Sequence, residues 1–198
     1  MNYILFFNNF INWIEINYTL SLFLFFTFIL FYSIFSLPGL IIFFVFSGYA
    51  FGIFFSYLIC IISFSLGSLC FFIISKYILS KLFIKYYEKY TYNVNKFIKN
   101  STLEYLIIFR LIPGTPLLIQ NILLSLLDIS LFKFLLSTSI GASPFILFSI
   151  LIGNKLNNIN SLKDFNSKDI FTIDLLIILF VIIFFIMLRV IFKKKNNN

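Results

Sequence analysis

Residues 16–75 carry no charged side chain, an unbroken run of 60 residues between Glu15 and Lys76. About 20 apolar residues let a helix cross a hydrocarbon core of about 30 Å, so this run must hold more than one crossing. Its apolar residues are continuous and do not alternate at a period of two, which excludes a lipid-facing β-barrel. Composition agrees: 61% of the 198 residues are hydrophobic and 11% are charged, far from the usage of soluble domains. The sequence predicts an all-α integral membrane protein.

Charge placement sets the expected topology. Lys76, Lys81, Lys85, Lys89, Lys96 and Lys99 are opposed only by Glu88, and the tail carries Arg189, Lys193, Lys194 and Lys195 with no acid. The positive-inside rule puts both regions in the cytoplasm. Residues 153–171 mix Lys155, Lys163 and Lys168 with Asp164 and Asp169 and read as a polar loop on the other side. Counting back from the tail, 173–189 and 131–152 each cross. The apolar stretch 103–127 therefore begins and ends on one side. Its centre, Pro113-Gly114-Thr115-Pro116, removes backbone donors and breaks a helix, as the tip of a re-entrant hairpin requires. Broken backbone at membrane depth survives only where protein or a watery cavity covers it.

The first half admits two readings. One is a span over 18–37, then a half-helix running from Pro38-Gly39 to a tip at Gly48–Gly52, then a span ending near Lys76; the half-helix would be about 15 Å long, half the core. The other is three plain spans with an external N-terminus. The first gives about four transmembrane helices plus two re-entrant helical hairpins arranged as an inverted repeat, the layout with which many transporters build a midplane site. Residues 1–17 form an amphipathic interfacial segment, with Ile4, Phe7, Ile11 and Ile14 beside Asn8, Asn12 and Glu15. Residues 18–192 make a single transmembrane domain, and 193–198 a basic cytoplasmic tail.

Composition also removes functions. With no His, seven acids and two Cys, no triad, zinc site or general-base His can be assembled, so no enzyme, metal or cofactor is expected. Cys60 and Cys70 read as small buried hydrophobes. The +8 net charge does not imply nucleic acid, because the lysines flank apolar segments. Membrane lipids are the expected partners. Lys81, Lys85 and Lys89, at i, i+4 and i+8, repel one another in a way that anionic headgroups would relieve, although a plain topology signal explains them too. The small residues Gly48 and Gly52 can pack a hairpin or a homo-oligomer. The 31 Phe reflect A/T-rich codons and favour a bacterial inner membrane.

One ionisable residue stands out. A helix starting at Thr102 would carry Arg110 roughly 10 Å into the membrane, where a charge costs about 3 kcal/mol or more and marks a pathway or a partner. Glu104 and Asp128 lie six and eighteen residues away, outside the i±3 and i±4 positions of a local ion pair. The guanidinium fork suits phosphate oxygens, and the hairpin tip beside it frees backbone amides. The competing reading is that Arg110 snorkels or bonds to the carbonyls of the break. Gln120 and Asn121 on the return arm either satisfy that break or line a polar path.

These residues resemble a known family. FRLIPGTPLLIQN followed by LLDISLFKFLLSTSIGASPFILFSILIG is similar to the DedA family and its VTT-domain relatives, the SNARE-associated Golgi protein-like membrane proteins. Arg110, Pro113, Pro116, Asn121, Gly141 and Pro144 match the family's second-hairpin motif in order. In the first half Ser36-Leu37-Pro38-Gly39, Ser47–Gly52, Leu66–Ser68 and Lys76-Tyr77 resemble its other landmarks, over residues 36–153 in all. The resemblance implies lipid scrambling or lipid-carrier recycling. The sequence departs from the polyprenyl-phosphate carriers: no acid lies in 33–37, and Pro116 stands where they have a second Arg. That departure disfavours proton coupling.

The leading expectation is thus passive movement of a phosphate-bearing lipid, phospholipid or polyprenyl phosphate, between leaflets. Arg110 would contact the phosphate. Pro113, Gly114 and Pro116 would hold the tip open, and Gln120 and Asn121 would line the path with Gly48 and Gly52. A secondary transporter of a small anion and a non-transporting scaffold are the alternatives.

Overall fold

The computed structural model describes residues 2–82, 103–111, 116–125, 127 and 129–157. Regular structure there is entirely helical, as expected: α1 (Asn2–Ile16), α2 (Tyr18–Ile34), α3 (Leu40–Leu82), α4 (Leu103–Arg110), α5 (Leu117–Ser125) and α6 (Leu131–Asn157). Two of these helices, in α3 and α6, are long and apolar enough to cross a membrane. The basic loop 83–102, the hairpin tip 112–115 and everything after 157, including the expected last span and the tail, lie outside the described residues.

α3 is not one rod. Gly52 sits at φ 73°, ψ 176°, a conformation open to glycine alone, and there the chain folds back. The Ser56 hydroxyl donates to the Ser47 carbonyl at 2.6 Å, Ser47 Oγ lies 3.3 Å from Cys60 Sγ, and the rings of Phe44 and Phe64 are 6.1 Å apart. In a straight helix residues 44 and 64 would be separated by about 30 Å. α3 is therefore a short arm (40–51) packed on a long arm (53–82).

The short arm also runs antiparallel to α2. Phe43 meets Phe28 at 4.8 Å and Tyr32 at 5.0 Å, while Phe51 and Phe55 both meet Tyr18 at 6.0 Å. The far end of α2 stops at the middle of the long arm: a Cβ on Gly67 would lie 2.5 Å from the Leu30 carbonyl oxygen and 2.6 Å from Ser33 Cβ. The first half thus differs in plan from the expected order: the segment 18–37 does not accompany the long arm from end to end, and Gly48–Gly52 lies where the chain reverses into the long arm. α2 and the short arm form the hairpin, its tip is the turn at residues 35–39, and Gly52 turns the chain at the hairpin's open end.

The second half repeats this plan with shorter arms. α4 and α5, of 8 and 9 residues, flank the break, and α6 follows as the long helix. Leu106, Leu124, Leu127 and Ile129 pack with Phe72 of the long arm and Phe134 of α6. Hydroxyl pairs tie the long arm to this half, Ser65 with Ser139 and Ser75 with Ser125, each at 2.9 Å, which is how helices associate where lipid competes for every apolar surface. At the other end the short arm meets α6 backbone to backbone, Gly48 against the Ile150 carbonyl and Gly153 against the Val45 carbonyl.

α1 bends away from α2 by 106° and exposes Phe6, Phe10, Trp13 and Ile16. It lies at the Gly52 end of the long arm, with Phe7 on Tyr49 and Phe10 on Phe46. Leu82 is about 45 Å away at the opposite end.

The two glycine constraints differ in kind, and both should show as lost stability in detergent. Gly48→Ala is expected to lose about 1–3 kcal/mol because its methyl meets a backbone carbonyl that cannot rotate aside. Gly52→Ala has open space around its Cβ and should lose about 1–3 kcal/mol through backbone strain alone. A suppressor that shortens residue 150 or 45 would help neither.

Candidate functional site

The tip of the first hairpin meets the return arm of the second. Ser36, in the turn after α2, has φ 49°, which holds its side chain at the apex. Its hydroxyl points to the Ser33 carbonyl at 3.4 Å and accepts from Asn121 Nδ2 at 2.9 Å. A hydroxyl has one proton to give, so the amide orientation at Asn121 is fixed and its Oδ1 is turned elsewhere. That oxygen is buried and has no hydrogen-bond partner among the described residues. Both Ser36 and Asn121 are buried. The tip of the first hairpin is thereby tied to the return arm of the second.

Arg110 ends α4 beside this junction. It is only 7% exposed. Its Nη1 donates to Gln120 Oε1 at 3.4 Å, a long bond, while Nε and Nη2 have no hydrogen-bond partner among the described residues. No acid pairs with it there. The guanidinium carbon lies 5.0 Å from the centre of the Phe134 ring, and the stem passes over Gly141, where an added Cβ would collide with Arg110 Cβ. Gly141 is thus the notch that lets α4 approach α6 closely enough to bury the cation. Other buried hydroxyls without partners include those of Ser33 on α2, Ser68 on the long arm and Thr138 on α6.

Of the expected site residues, the structure brings Arg110, Gln120 and Asn121 together. Pro116 is exposed, and its carbonyl accepts from the Gln120 amide at 3.1 Å to start α5. Pro113 and Gly114 lie outside the described residues, as do Lys85, Lys89 and the side chain of Lys81. Gly48 and Gly52 stand toward the α1 end, engaged in the helix contact and the chain reversal already described. Cys60 is buried as expected, but Cys70 is exposed. Ser36, Phe134 and Gly141 complete the junction. Ser36 and Gly141 lie within strings that the sequence marks out; nothing distinguishes Phe134 among 31 phenylalanines.

The sequence profile of the VTT domain matches residues 37–155, which includes every residue of the junction except Ser36. The chain belongs to the VTT-domain family. No solved structure matches it. The Pro-Gly turn, the Arg-bearing hairpin and the glycine of α6 that resemble family landmarks are, in this VTT-domain protein, the parts that meet at the junction.

The contact between the hairpins can be measured by a double-mutant cycle. Asn121→Ala and Ser36→Ala should each lower unfolding stability by about 1 kcal/mol, with a coupling of about 0.5–1.5 kcal/mol between them. Additive losses would show that the 2.9 Å bond contributes nothing.

Proposed function

We propose that this VTT-domain protein lets a phosphate-bearing lipid headgroup cross between leaflets along the polar seam where the two hairpins meet. One observation carries the reading: a buried guanidinium with two of its three nitrogens unpartnered, in a chain whose surroundings are apolar. Leaving an arginine so placed costs about 3 kcal/mol or more, and an arriving phosphate recovers that loss through charge-assisted bonds to the planar fork. The unpartnered oxygen of Asn121 and the hydroxyls of Ser33, Ser68 and Thr138 offer the rest of the headgroup a route in which water's hydrogen bonds are replaced in turn. With no acid on this route among the described residues, movement runs down the lipid's own gradient.

In this reading the long arm and α6 are full spans, α2 with the short arm is a re-entrant hairpin from one face, and α4 with α5 is a re-entrant hairpin from the other. The basic loop after Leu82 is cytoplasmic by its charge. α1, at the opposite end of the long arm, then lies on the non-cytoplasmic interface with its aromatic residues in the headgroup layer. Labelling a single cysteine placed at Asn8 in a Cys-free background with a membrane-impermeant maleimide tests this: modification in intact cells is expected, and protection until lysis would return the first half to a true span.

Leaflet exchange of a fluorescent phospholipid in reconstituted vesicles without an ion gradient tests the function. Wild type should exchange lipid; Arg110→Ala should be slower by at least tenfold, and Arg110→Lys intermediate because an ammonium lacks the fork. Equal rates for wild type and Arg110→Ala would remove Arg110 from the path. No exchange by wild type, together with Arg110-dependent uptake of labelled inorganic phosphate, would replace the lipid with a small soluble anion.

A further inference from the structure

Among the described residues no acid pairs with Arg110, so its charge is held there by something else. A carboxylate would hold it by its donor edges, the same edges a phosphate needs. The Phe134 ring instead lies 5.0 Å from the guanidinium carbon, within the distance at which a ring's negative face attracts a cation. Phe134 is itself fully buried and is backed by Phe72 of the long arm, with ring centres 4.3 Å apart and planes 34° from parallel. Gly141 removes the side chain that would otherwise push the arginine stem off α6. The guanidinium thus sits over a ring face, and among the described residues Gln120 alone hydrogen-bonds to it.

We propose that Phe134 is the positioning residue of the anion site. It stands where a counter-ion would, steadies the arginine through its π face and leaves Nε and Nη2 without a hydrogen-bond partner among the described residues, for a phosphate to take. The inference rests on the reading of Arg110 as the phosphate contact and adds what holds the cation without using those two nitrogens. It also gives the stacked Phe72–Phe134 pair a role in function: Phe72 fixes the ring plane, and the ring plane fixes the fork.

The test separates π electrons from packing. Phe134 is replaced, by suppression of a stop codon, with mono-, di- and trifluorophenylalanine, whose rings keep nearly the same shape while their faces lose negative charge. Each protein is reconstituted in vesicles of phosphatidylethanolamine and phosphatidylglycerol, and exchange of a fluorescent phosphatidylethanolamine tracer is followed beside Arg110→Ala and Phe134→Leu. Rates are expected to fall stepwise with fluorine number, by about three- to tenfold across the series, with the unfolding midpoint unchanged. Phe134→Leu should fall at least as far, and Phe134→Tyr should retain the wild-type rate. A flat fluorine series beside a slow Arg110→Ala overturns the role of Phe134 and leaves the Arg110 reading standing. A rate that falls only together with the unfolding midpoint assigns Phe134 to packing and likewise overturns the proposal. An Arg110→Ala protein as fast as wild type overturns both.

Discussion

The structure depends on how it bears one buried cation. An ionised arginine in an apolar interior needs either a counter-ion or a set of dipoles, and the described residues around Arg110 supply no carboxylate. They supply a ring face, one amide oxygen and a close backbone approach at Gly141. Each requires an element in a particular place. The ring needs α6 beside α4, the amide needs α5 folded back near Arg110, and the close approach needs a residue without a side chain. The hairpin, its break and the long helix behind it are arranged by these demands.

A turn within a membrane protein exposes amides and carbonyls that lipid cannot satisfy. Here the turn after α2 finds polar company in α5, through Ser36 and Asn121. The hydroxyl pairs along the long arm extend this logic outward: interfaces built from serines keep helices close through small polar groups.

Much of this was legible in the residues. The uncharged run required several helices, and Arg110 beside Pro113-Gly114-Thr115-Pro116 marked the second hairpin's chemistry. Asn121 and Gln120 could be placed at it because they follow the break on a short helix. The first hairpin is not legible for a physical reason: Pro38-Gly39 and Gly48–Gly52 are both helix breakers, and hydropathy does not tell which of them joins α2 to the short arm. α2 is apolar enough to be taken for a span, but it reaches only the middle of the long arm, a fact set by the Gly67 contact with Leu30 and Ser33. Phe134 was invisible for another reason: its role depends on which cation faces it, and that is decided by folding across 24 residues of chain.

The bond between Ser36 and Asn121 joins residues 85 positions apart. During synthesis the first hairpin and the long arm emerge before any of the second hairpin exists. Until then the apex of the first hairpin presents the Ser36 hydroxyl to whatever surrounds it. The first half alone is therefore an incomplete insertion product with an unsatisfied polar apex, and arrival of the second hairpin is the event that closes it. An interruption between the two halves would leave an intermediate that must be held by another protein or by lipid headgroups drawn inward, until its own second half takes their place.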